Sequence, residues 1–321
     1  MQKSAEVLVE ITRADLIESQ HSGHAVILNE DGSIDKTIGD PFAPYFPRSA
    51  IKLAQATAAL ESGAKLADEA LSISCASHSG EEIHRSLVKK MLSEIDLDET
   101  FLQCPPDYPF GAEAKIDYIA KGLKPESITM NCSGKHAGML NACVQNNWNV
   151  KTYLEMNHPL QKNIHATIEN LAEEKIFKST FDGCGAPLHA ISLVGLAKIA
   201  HNAVKALPSD PQRKVVDAAR NFPIINSGNN RDVAKFMQSV PGFFTKEGAE
   251  GVHVGALADG RSFAVKFEDG SMRPRPSFVV EVLKYWGIEE NILNKLSELA
   301  QSDVLGGGKP VGFMRALPIE R

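Results

Sequence analysis

The stretch YFPRSAIKLAQATAALESG, Tyr45–Gly63, marks the change from strand-like to helix-like sequence in this chain. Before it, VLVEI alternates, HAVIL is apolar, and NEDGS contains an Asp-Gly pair typical of a hairpin. After it, the spacing of apolar residues predicts mostly helices, interrupted by one short strand, LSISCAS at residues 71–77. The stretch itself predicts a helix from Ser49 to Glu61, ended by Gly63.

Strand-like sequence returns near the carboxyl end. GVHVGALADGRSFAVKFEDG predicts two strands joined around an Asp-Gly turn, and PVGFMRALPI predicts a last strand. Because both ends are strand-like, we predict an α+β fold with an antiparallel-rich sheet built from both termini. The sheet lobe would take about residues 1–47 and 240–321, and the helical lobe about residues 48–239, within a single domain.

Composition excludes several classes of protein. The 321 residues carry a mild net charge of −6 and no basic run, so nucleic-acid binding is not expected. The first residues lack the apolar core of a signal peptide, and no apolar run approaches the length of a membrane span. We therefore expect a cytoplasmic protein with no membrane contact. Five cysteines, an odd number without a secretory signal, argue against a disulfide framework.

Ser49 and Lys52 lie three residues apart at the start of the predicted helix. Residues at this spacing share a helix face, so the hydroxyl and the amine can come within hydrogen-bonding reach. A neutral lysine can take the serine proton and activate the oxygen as a nucleophile, and burial favours the neutral form. The surrounding AIKLAQATAAL is otherwise uncharged, which favours a buried lysine. The alternative is a capping serine beside a solvated lysine.

The segment CASHSGEEIH, residues 75–84, opens another predicted helix. Ser79 and Glu82 have the spacing of a capping box, which accounts for both residues without any function. Ser77 and His78 are not needed for that cap. They are therefore the candidate functional residues of this segment.

The segment NCSGKHAGML, residues 131–140, also opens a helix, and its free N–H groups suit a carboxylate. It is not a P-loop, because Thr129 and His136 stand where that motif requires glycine and Ser or Thr. Cys132 and His136 share a helix face. Cys132 and Cys184, the latter in DGCGAP, both lie in glycine-flanked turns that suit metal ligation. The alternative is that both cysteines are small buried apolar residues.

Lys266 lies in the predicted strand SFAVKFEDG. Because side chains alternate along a strand, Lys266 shares a face with Ser262 and Ala264. That face is either exposed or turned toward the helical lobe. The sequence leaves both interpretations open.

Together these segments resemble the bacterial asparaginase II family of the inducible rhizobial type, which is similar in fold to serine β-lactamases and penicillin-binding proteins. The resemblance covers most of the chain and rests on RSAIK, CASHSGEEIH, NCSGKHAGML, HPLQ, DGCGAP and VKFEDG, in that order. It implies a β-lactamase-like α+β fold and one catalytic domain. The chain lacks the Ser-Asp-Asn and Lys-Thr-Gly motifs of β-lactamases, so β-lactam turnover is not expected.

The resemblance also implies the roles of particular residues. Two catalytic serine–lysine pairs would be Ser49 with Lys52 and Ser77 with Lys266. A zinc ion would order the loops around it, and a Lewis-acid role stays open because three protein ligands leave one position free. The implied zinc ligands are Cys132, Lys135 and Cys184, and the implied substrate-binding residues are Arg48, Ser133, Gly134, His136 and Asp182.

The resulting hypothesis is hydrolysis of L-asparagine to L-aspartate and ammonia through a serine acyl-enzyme. Arg48 or the helix start at residues 133–136 would bind the α-carboxylate, and Asp182 would bind the α-ammonium. Two alternatives stay open: another serine amidase of this fold, acting on glutamine, a β-lactam or a peptide, and a non-catalytic zinc-binding sensor. A homodimer is implied by the resemblance alone.

Overall fold

The sheet of this protein is built from the two ends of the chain. The computed structural model describes residues 4–320. Eight strands form one sheet in the order β6-β7-β8-β2-β1-β10-β9, with β3 paired to β2, and β4 and β5 form a separate ribbon. The strands are β1 Glu6–Arg13, β2 Leu16–Leu28, β3 Ile34–Ile38, β4 Lys178–Phe181, β5 Pro187–Ala190, β6 Phe244–Gly248, β7 Val252–Ala256, β8 Ser262–Phe267, β9 Gln301–Gly306 and β10 Lys309–Ala316.

The first and last strands of the chain are neighbours in this sheet. β1 pairs antiparallel with β10, with Val9 opposite Ala316, and the long strand β2 pairs with both β1 and β8. The predicted α+β architecture, with an antiparallel sheet built from both termini, is therefore confirmed. Antiparallel pairing allows this closure because neighbouring strands need no crossover helix.

The helical lobe lies between β3 and β6 in the sequence and covers one face of the sheet. Short 3₁₀ turns at Arg48–Ile51, Glu99–Phe101 and Asn294–Leu296 accompany the α-helices. The α-helices are α1 Lys52–Glu61, α2 Asp68–Ser74, α3 Glu82–Ser93, α4 Ala112–Ala120, α5 Ser133–Gln145, α6 Pro159–Ala172, α7 Leu193–Lys205, α8 Pro211–Asn221, α9 Pro223–Asn226, α10 Asp232–Ser239, α11 Arg275–Tyr285, α12 Glu290–Leu293 and α13 Ser297–Ala300. Among the described residues, none of the helices combines the length and the apolar character needed to cross a membrane.

Several local predictions were wrong. LSISCAS is not a strand, because residues up to Ser74 belong to α2, whose first turn carries Asp68 and Glu69. A short buried apolar run fits a strand and a buried helix equally well. The capping box is also absent, since α3 begins after Glu81 without a side-chain cap. The helices α4 and α10, the ribbon β4–β5 and the edge strand β9 were missed.

Both faces of the sheet are covered, and successive residues of β2 show it. Val26 and Leu28 pack into the core shared with the helical lobe. Ile27, which points the other way, packs into a second core with Phe263 and Phe278, the latter from α11. A sheet buried on both faces reads as a continuous apolar run, which explains HAVIL.

The edge strand β6 lies directly against the start of α1. A Cβ placed on Gly248 would come 2.3 Å from the Pro47 carbonyl oxygen and 3.2 Å from the Ala50 nitrogen, so only glycine allows this approach. Every residue of β6 is buried. The turn before α1 is unusual as well, because Arg48 adopts a left-handed backbone with φ of 52°. This seam brings the predicted catalytic segment and β6 together.

Candidate active site

The hydroxyl of Ser77 lies between two lysine side chains at this seam. Lys52 Nζ lies 3.1 Å and Lys246 Nζ 2.8 Å from Ser77 Oγ. All three residues are buried, with Ser77 2%, Lys52 1% and Lys246 1% exposed. Three parts of the fold supply them: the start of α1, the segment after α2, and β6. The predicted burial of Lys52 is confirmed.

The two lysines differ in their other contacts. Lys52 Nζ donates to the Ala76 carbonyl oxygen at 2.6 Å and has no acidic partner within the described residues. Lys246 Nζ donates to the Glu247 carbonyl oxygen at 3.1 Å and lies 3.3 Å from Glu247 Oε1. Burial lowers the pKa of Lys246 to about 8, with a further contribution from the nearby charge of Lys52 and in opposition to Glu247.

The predicted pairing of Ser77 with Lys266 is wrong. Lys266 Nζ donates to the carbonyl oxygens of Glu250 and Phe267, each at 2.6 Å, and makes no hydrogen bond to Ser77 in the part of the chain that the structure describes. Lys266 belongs to β8, which is separated from β6 by β7. The lysine that reaches Ser77 is Lys246, which the sequence reasoning missed.

A signal for Lys246 was present in the sequence. It is the single lysine of the buried strand Phe244–Gly248, next to the apolar pair Phe243-Phe244. A charged residue in such a strand is costly unless it is paired, so it deserved more attention than Lys266. Lys246-Glu247-Gly248 also matches two of the three residues of a Lys-Thr-Gly motif.

Ser49 lies one turn before Lys52, in the 3₁₀ segment Arg48–Ile51. Its side chain is partly exposed, and no hydrogen bond joins it to Lys52 or to any other described residue. The expected Ser49–Lys52 contact is thus not made, because the Lys52 amine is directed to Ser77. Ser49 remains free to contact a bound molecule, and its role as the nucleophile stays a prediction.

A cavity of about 540 Å³ opens beside Arg48. Arg48 Nε donates to Asp182 Oδ1 at 2.7 Å, and Arg48 Nη1 lies 3.8 Å from Glu250 Oε1. Lys266 lies on the same wall, together with Tyr45 and Phe181. The cavity therefore presents charges of both signs, with two of the predicted substrate-binding residues, Arg48 and Asp182, in direct contact.

Two other predicted substrate-binding residues are buried in packing. Ser133 Oγ lies 2.9 Å from His78 Nε2 and donates to the Ile128 carbonyl oxygen. A Cβ on Gly134 would lie 2.6 Å from the Ile73 carbonyl oxygen, so α5 packs tightly on the end of α2. This placement does not support direct substrate contact for Ser133 or Gly134. Both residues instead hold the segment that carries Ser77.

The three residues implied as zinc ligands do converge. Lys135 Nζ donates to Cys184 Sγ at 3.0 Å, and Cys132, Lys135 and Cys184 are all buried. A hydrogen bond between the thiols lowers the pKa of Cys184, with help from the charge of Lys135, and raises the pKa of Cys132. Burial alone would lower the pKa of Lys135, but the Cys184 thiolate raises it. The directions of these shifts favour a thiolate on Cys184 beside the ammonium of Lys135.

This cluster fits a zinc ion in its donor chemistry. Two soft thiolate sulfurs and one amine nitrogen form a donor set that suits zinc, provided that the thiols and the lysine lose their protons. Within residues 4–320, no group of three His, Cys, Asp or Glu side chains is placed to bind a metal, so Lys135 is essential to the set. His136 lies nearby, with Nδ1 2.6 Å from the Tyr153 hydroxyl, and does not line the cavity beside Arg48.

The fold and the site together define an α+β protein whose serine hydroxyl is held between two buried lysines, an arrangement suited to acyl transfer through a serine. The chain belongs to the L-asparaginase II family, whose model matches residues 9–316. Membership supports an asparaginase-type amidohydrolase activity on a small-molecule substrate. None of the curated protein sequences matches the chain significantly.

Two solved structures are similar to the chain at low sequence identity. One is Mglu in its native form in 4.3 M NaCl, with 13% identity, a TM-score of 0.40, and 77% of this chain matched to 56% of that one. The other is a candidate beta-lactamase from Bacteroides dorei DSM 17855, with 13% identity, a TM-score of 0.36, and 76% of this chain matched to 84% of that one. The chain thus spans little more than half of the Mglu structure.

Proposed function

We propose that this protein hydrolyses L-asparagine to L-aspartate and ammonia through an acyl-enzyme on Ser49. The observation that carries the proposal is the Ser77 hydroxyl held between the Lys52 and Lys246 amines, 3.1 and 2.8 Å away. Such a site can accept a proton and return it within a few ångströms. Family membership supplies the amide substrate class.

In the first step, Ser49 Oγ attacks the side-chain amide carbon and its proton passes to Lys52 Nζ, a transfer that requires these two side chains to come into a contact that they do not make in the free protein. The C–O bond forms and the negative charge moves to the amide oxygen. The backbone N–H of Ser49 is the proposed donor to this oxyanion, and one such donor contributes roughly 3–4 kcal/mol. Lys52 must be neutral at this point, since an ammonium has no lone pair to accept the proton.

In the second step, the Ser77 hydroxyl gives its proton to the leaving nitrogen and the C–N bond breaks. Lys52, now an ammonium 3.1 Å away, returns a proton to Ser77. Ammonia leaves and the acyl-enzyme remains. Water then attacks the ester, its proton passes through Lys52, and Ser49 regains a proton as L-aspartate is released.

The charges beside Arg48 suit a zwitterionic substrate. Arg48 would bind the α-carboxylate and Asp182 the α-ammonium, and each already satisfies the other at 2.7 Å in the free protein. A bound amino acid would insert its two charged groups between them, so no charge is left unpaired in either state. Glu250, at 3.8 Å from Arg48, supplies a second negative charge at the rim.

A zinc ion, when bound, would be held by Cys132, Lys135 and Cys184 and would supply charge that polarises a nearby polar group. Lys135 lies in the first turn of α5, and Cys184 follows Asp182 in the turn that leads to β5. Joining these two segments would fix the loop that carries Asp182. The proposed role of the three residues is therefore to order the cavity wall.

Replacing Ser49 and Ser77 one at a time tests the proposal, because the two serines have different roles in it. Ser49→Ala should lose ammonia release and form no covalent adduct with asparagine, because it lacks the attacking oxygen. Ser77→Ala should still form an adduct, slowly, because it lacks only the proton relay. Mass spectrometry of the intact protein after asparagine addition distinguishes these results. An adduct in Ser49→Ala at the wild-type rate would overturn the assignment.

Substrate choice needs its own measurement. Ammonia release from asparagine and glutamine and cleavage of a chromogenic cephalosporin should be compared at equal enzyme concentration. We expect asparagine to be preferred. Ligand-induced thermal stabilisation without turnover of any of the three would instead identify a sensor.

A further inference from the structure

The two lysines on Ser77 are made unequal by one buried carboxylate. Glu247 is 3% exposed, and its Oε1 lies 3.3 Å from Lys246 Nζ and 3.2 Å from Arg231 Nη2. Lys52, on the other side of Ser77, has no carboxylate partner within the described residues. Of the two amines beside the Ser77 hydroxyl, that of Lys246 therefore has a negatively charged partner and that of Lys52 does not.

We propose that Glu247 is a positioning residue that keeps Lys246 in its ammonium form, so that Lys52 is the amine that exchanges protons with the two serines. The proposal rests on the proposed function and adds an assignment of charge to its two lysines. Glu247 acts through Lys246, since its carboxylate lies 3.3 Å from Lys246 Nζ and makes no hydrogen bond to Ser77 within the described residues.

The contacts of each amine support this assignment. Each amine makes two hydrogen bonds within the described residues: Lys246 Nζ to Ser77 Oγ at 2.8 Å and to the Glu247 carbonyl oxygen at 3.1 Å, and Lys52 Nζ to the Ala76 carbonyl oxygen at 2.6 Å and to Ser77 Oγ at 3.1 Å. The two amines differ in the carboxylate, because Glu247 Oε1 forms an ion pair with Lys246 Nζ at 3.3 Å and no carboxylate of the described residues pairs with Lys52. A carboxylate beside a buried amine favours the ammonium form of that amine.

The ammonium form of Lys246 also orients the Ser77 proton. With Lys246 donating to Ser77 Oγ, the hydroxyl hydrogen is free to point at the neutral Lys52. Once Lys52 has taken the Ser49 proton, it donates to Ser77 Oγ instead, and the hydroxyl hydrogen turns toward the leaving nitrogen. Lys246 then stays charged through the cycle and stabilises negative charge at Ser77 Oγ.

The wider surroundings of Glu247 keep it ionised. Burial would raise the pKa of Glu247, but the charges of Lys246, Arg231 and Arg275 lower it to about 2. Lys246 loses its proton at a pKa of about 8, so the charged pair exists at neutral pH. The titratable or charged groups that face this pair from the packed elements are Lys52 of α1, Cys75 after α2, Arg231 before α10, His253 of β7 and Arg275 of α11.

The test is the pH dependence of kcat in Glu247→Gln. Glutamine keeps the shape but removes the charge, so Lys246 should lose its proton at lower pH. The alkaline limb of the kcat profile should move down by about 1 unit or more, with KM little changed. Glu247→Asp, which keeps the charge, should restore part of the shift. Glu10→Gln is the matched control and should leave the profile unchanged, because Glu10 lies on β1 and its carboxylate accepts a hydrogen bond from Gln20.

A second variant should move the limb in the opposite direction. Arg231→Met removes a cation that shares the Glu247 carboxylate, so Lys246 should hold its proton to higher pH. Opposite shifts in the two variants would not arise from a general loss of stability. If Glu247→Gln does not fold, this variant carries the test. An unmoved limb in either folded variant, or a uniform fall of kcat at every pH, would overturn the proposal.

A measurement of the Lys246 protonation midpoint, which needs no substrate turnover, tests the role of Glu247 independently of the proposed asparaginase reaction. Lysines labelled with ¹³C at Cε are titrated by NMR, and the Lys246 signal is assigned by its loss in Lys246→Met. Glu247→Gln should lower, and Arg231→Met should raise, the midpoint of that signal even if asparagine is not a substrate. Unchanged midpoints would refute the role of Glu247, whereas shifted midpoints without ammonia release would refute only the asparaginase reaction.

Discussion

Lys246 Nζ lies 2.8 Å from Ser77 Oγ although 169 residues separate the two along the chain. The contact crosses the seam between the sheet and the helical lobe. It depends on the close approach of β6 to the turn before α1, where Gly248 leaves room for the Pro47 carbonyl. The candidate active site is thus a product of how the two lobes dock.

Removing the amine of Lys246 should be far more damaging than removing that of Lys266. We expect Lys246→Met to lower kcat for ammonia release by roughly 100-fold or more, because the Ser77 relay loses its charged partner. Lys266→Met should lower kcat less, since the Lys266 amine donates hydrogen bonds to backbone carbonyls at the cavity rim. Steady-state kinetics with both variants provide the comparison, and a larger loss in Lys266→Met would contradict the site.

Asp182→Asn should weaken substrate binding more than it slows the chemical step. A charged hydrogen bond contributes about 1.5–3 kcal/mol, so KM should rise roughly 10- to 100-fold while kcat falls less. Asp217→Asn, at a partly buried pair with Arg213 on α8, serves as the control. An unchanged KM for asparagine would remove Asp182 from the binding site.

Zinc content should depend on both cysteines of the buried cluster. Cys132→Ser and Cys184→Ser should each lose bound zinc in elemental analysis, whereas Cys143→Ser, a buried cysteine elsewhere in α5, should retain it. Acid should also release the metal, because protons compete for the thiolates and for the Lys135 amine. Full zinc content in both cluster variants would show that the metal binds elsewhere or not at all.

The stability of the protein should fall in acid partly through Glu247. Its pKa is about 2 in the folded protein against an ordinary value of 4.5, so its contribution is present above about pH 4.5 and is lost as the pH falls toward 2. Removing one partner of a buried pair costs about 3 kcal/mol, so Glu247→Gln should be less stable than wild type at pH 7. Urea unfolding should show this difference shrinking between about pH 4.5 and pH 2. A difference that is constant with pH would disprove the link.

Much of the fold followed from local pattern. The helices that begin at Lys52, Glu82 and Ser133 were predicted within a few residues, because apolar spacing and capping signals are local properties. The helix α4 was missed, since Tyr118 is its only buried residue and its apolar spacing is weak. The ribbon β4–β5 was missed because its first strand is fully exposed and lacks the alternation of a half-buried strand.

Some of the predicted side-chain contacts are present. The sequence singled out the segments that carry Arg48, Ser77, Cys132 and Cys184, and the structure brings Arg48 to Asp182 and Cys184 to Lys135. The error lay in the long-range partner of Ser77. Lys246 and Lys266 are each the single lysine of a late strand, and the partial match of Lys246-Glu247-Gly248 to a Lys-Thr-Gly motif, which distinguishes them, was not used.

The residues alone indicate which segments carry candidate functional side chains and that the two ends of the chain form one sheet, because the spacing and alternation of residues are local properties of the sequence. Only the folded chain decides which lysine meets Ser77 and which carboxylate restrains that lysine. Alternation tells which side of its own strand a residue occupies, but the position of that strand depends on pairing between distant segments. The order β6-β7-β8 puts Lys246, with Glu247 beside it, against the helical lobe and leaves Lys266 at the cavity rim.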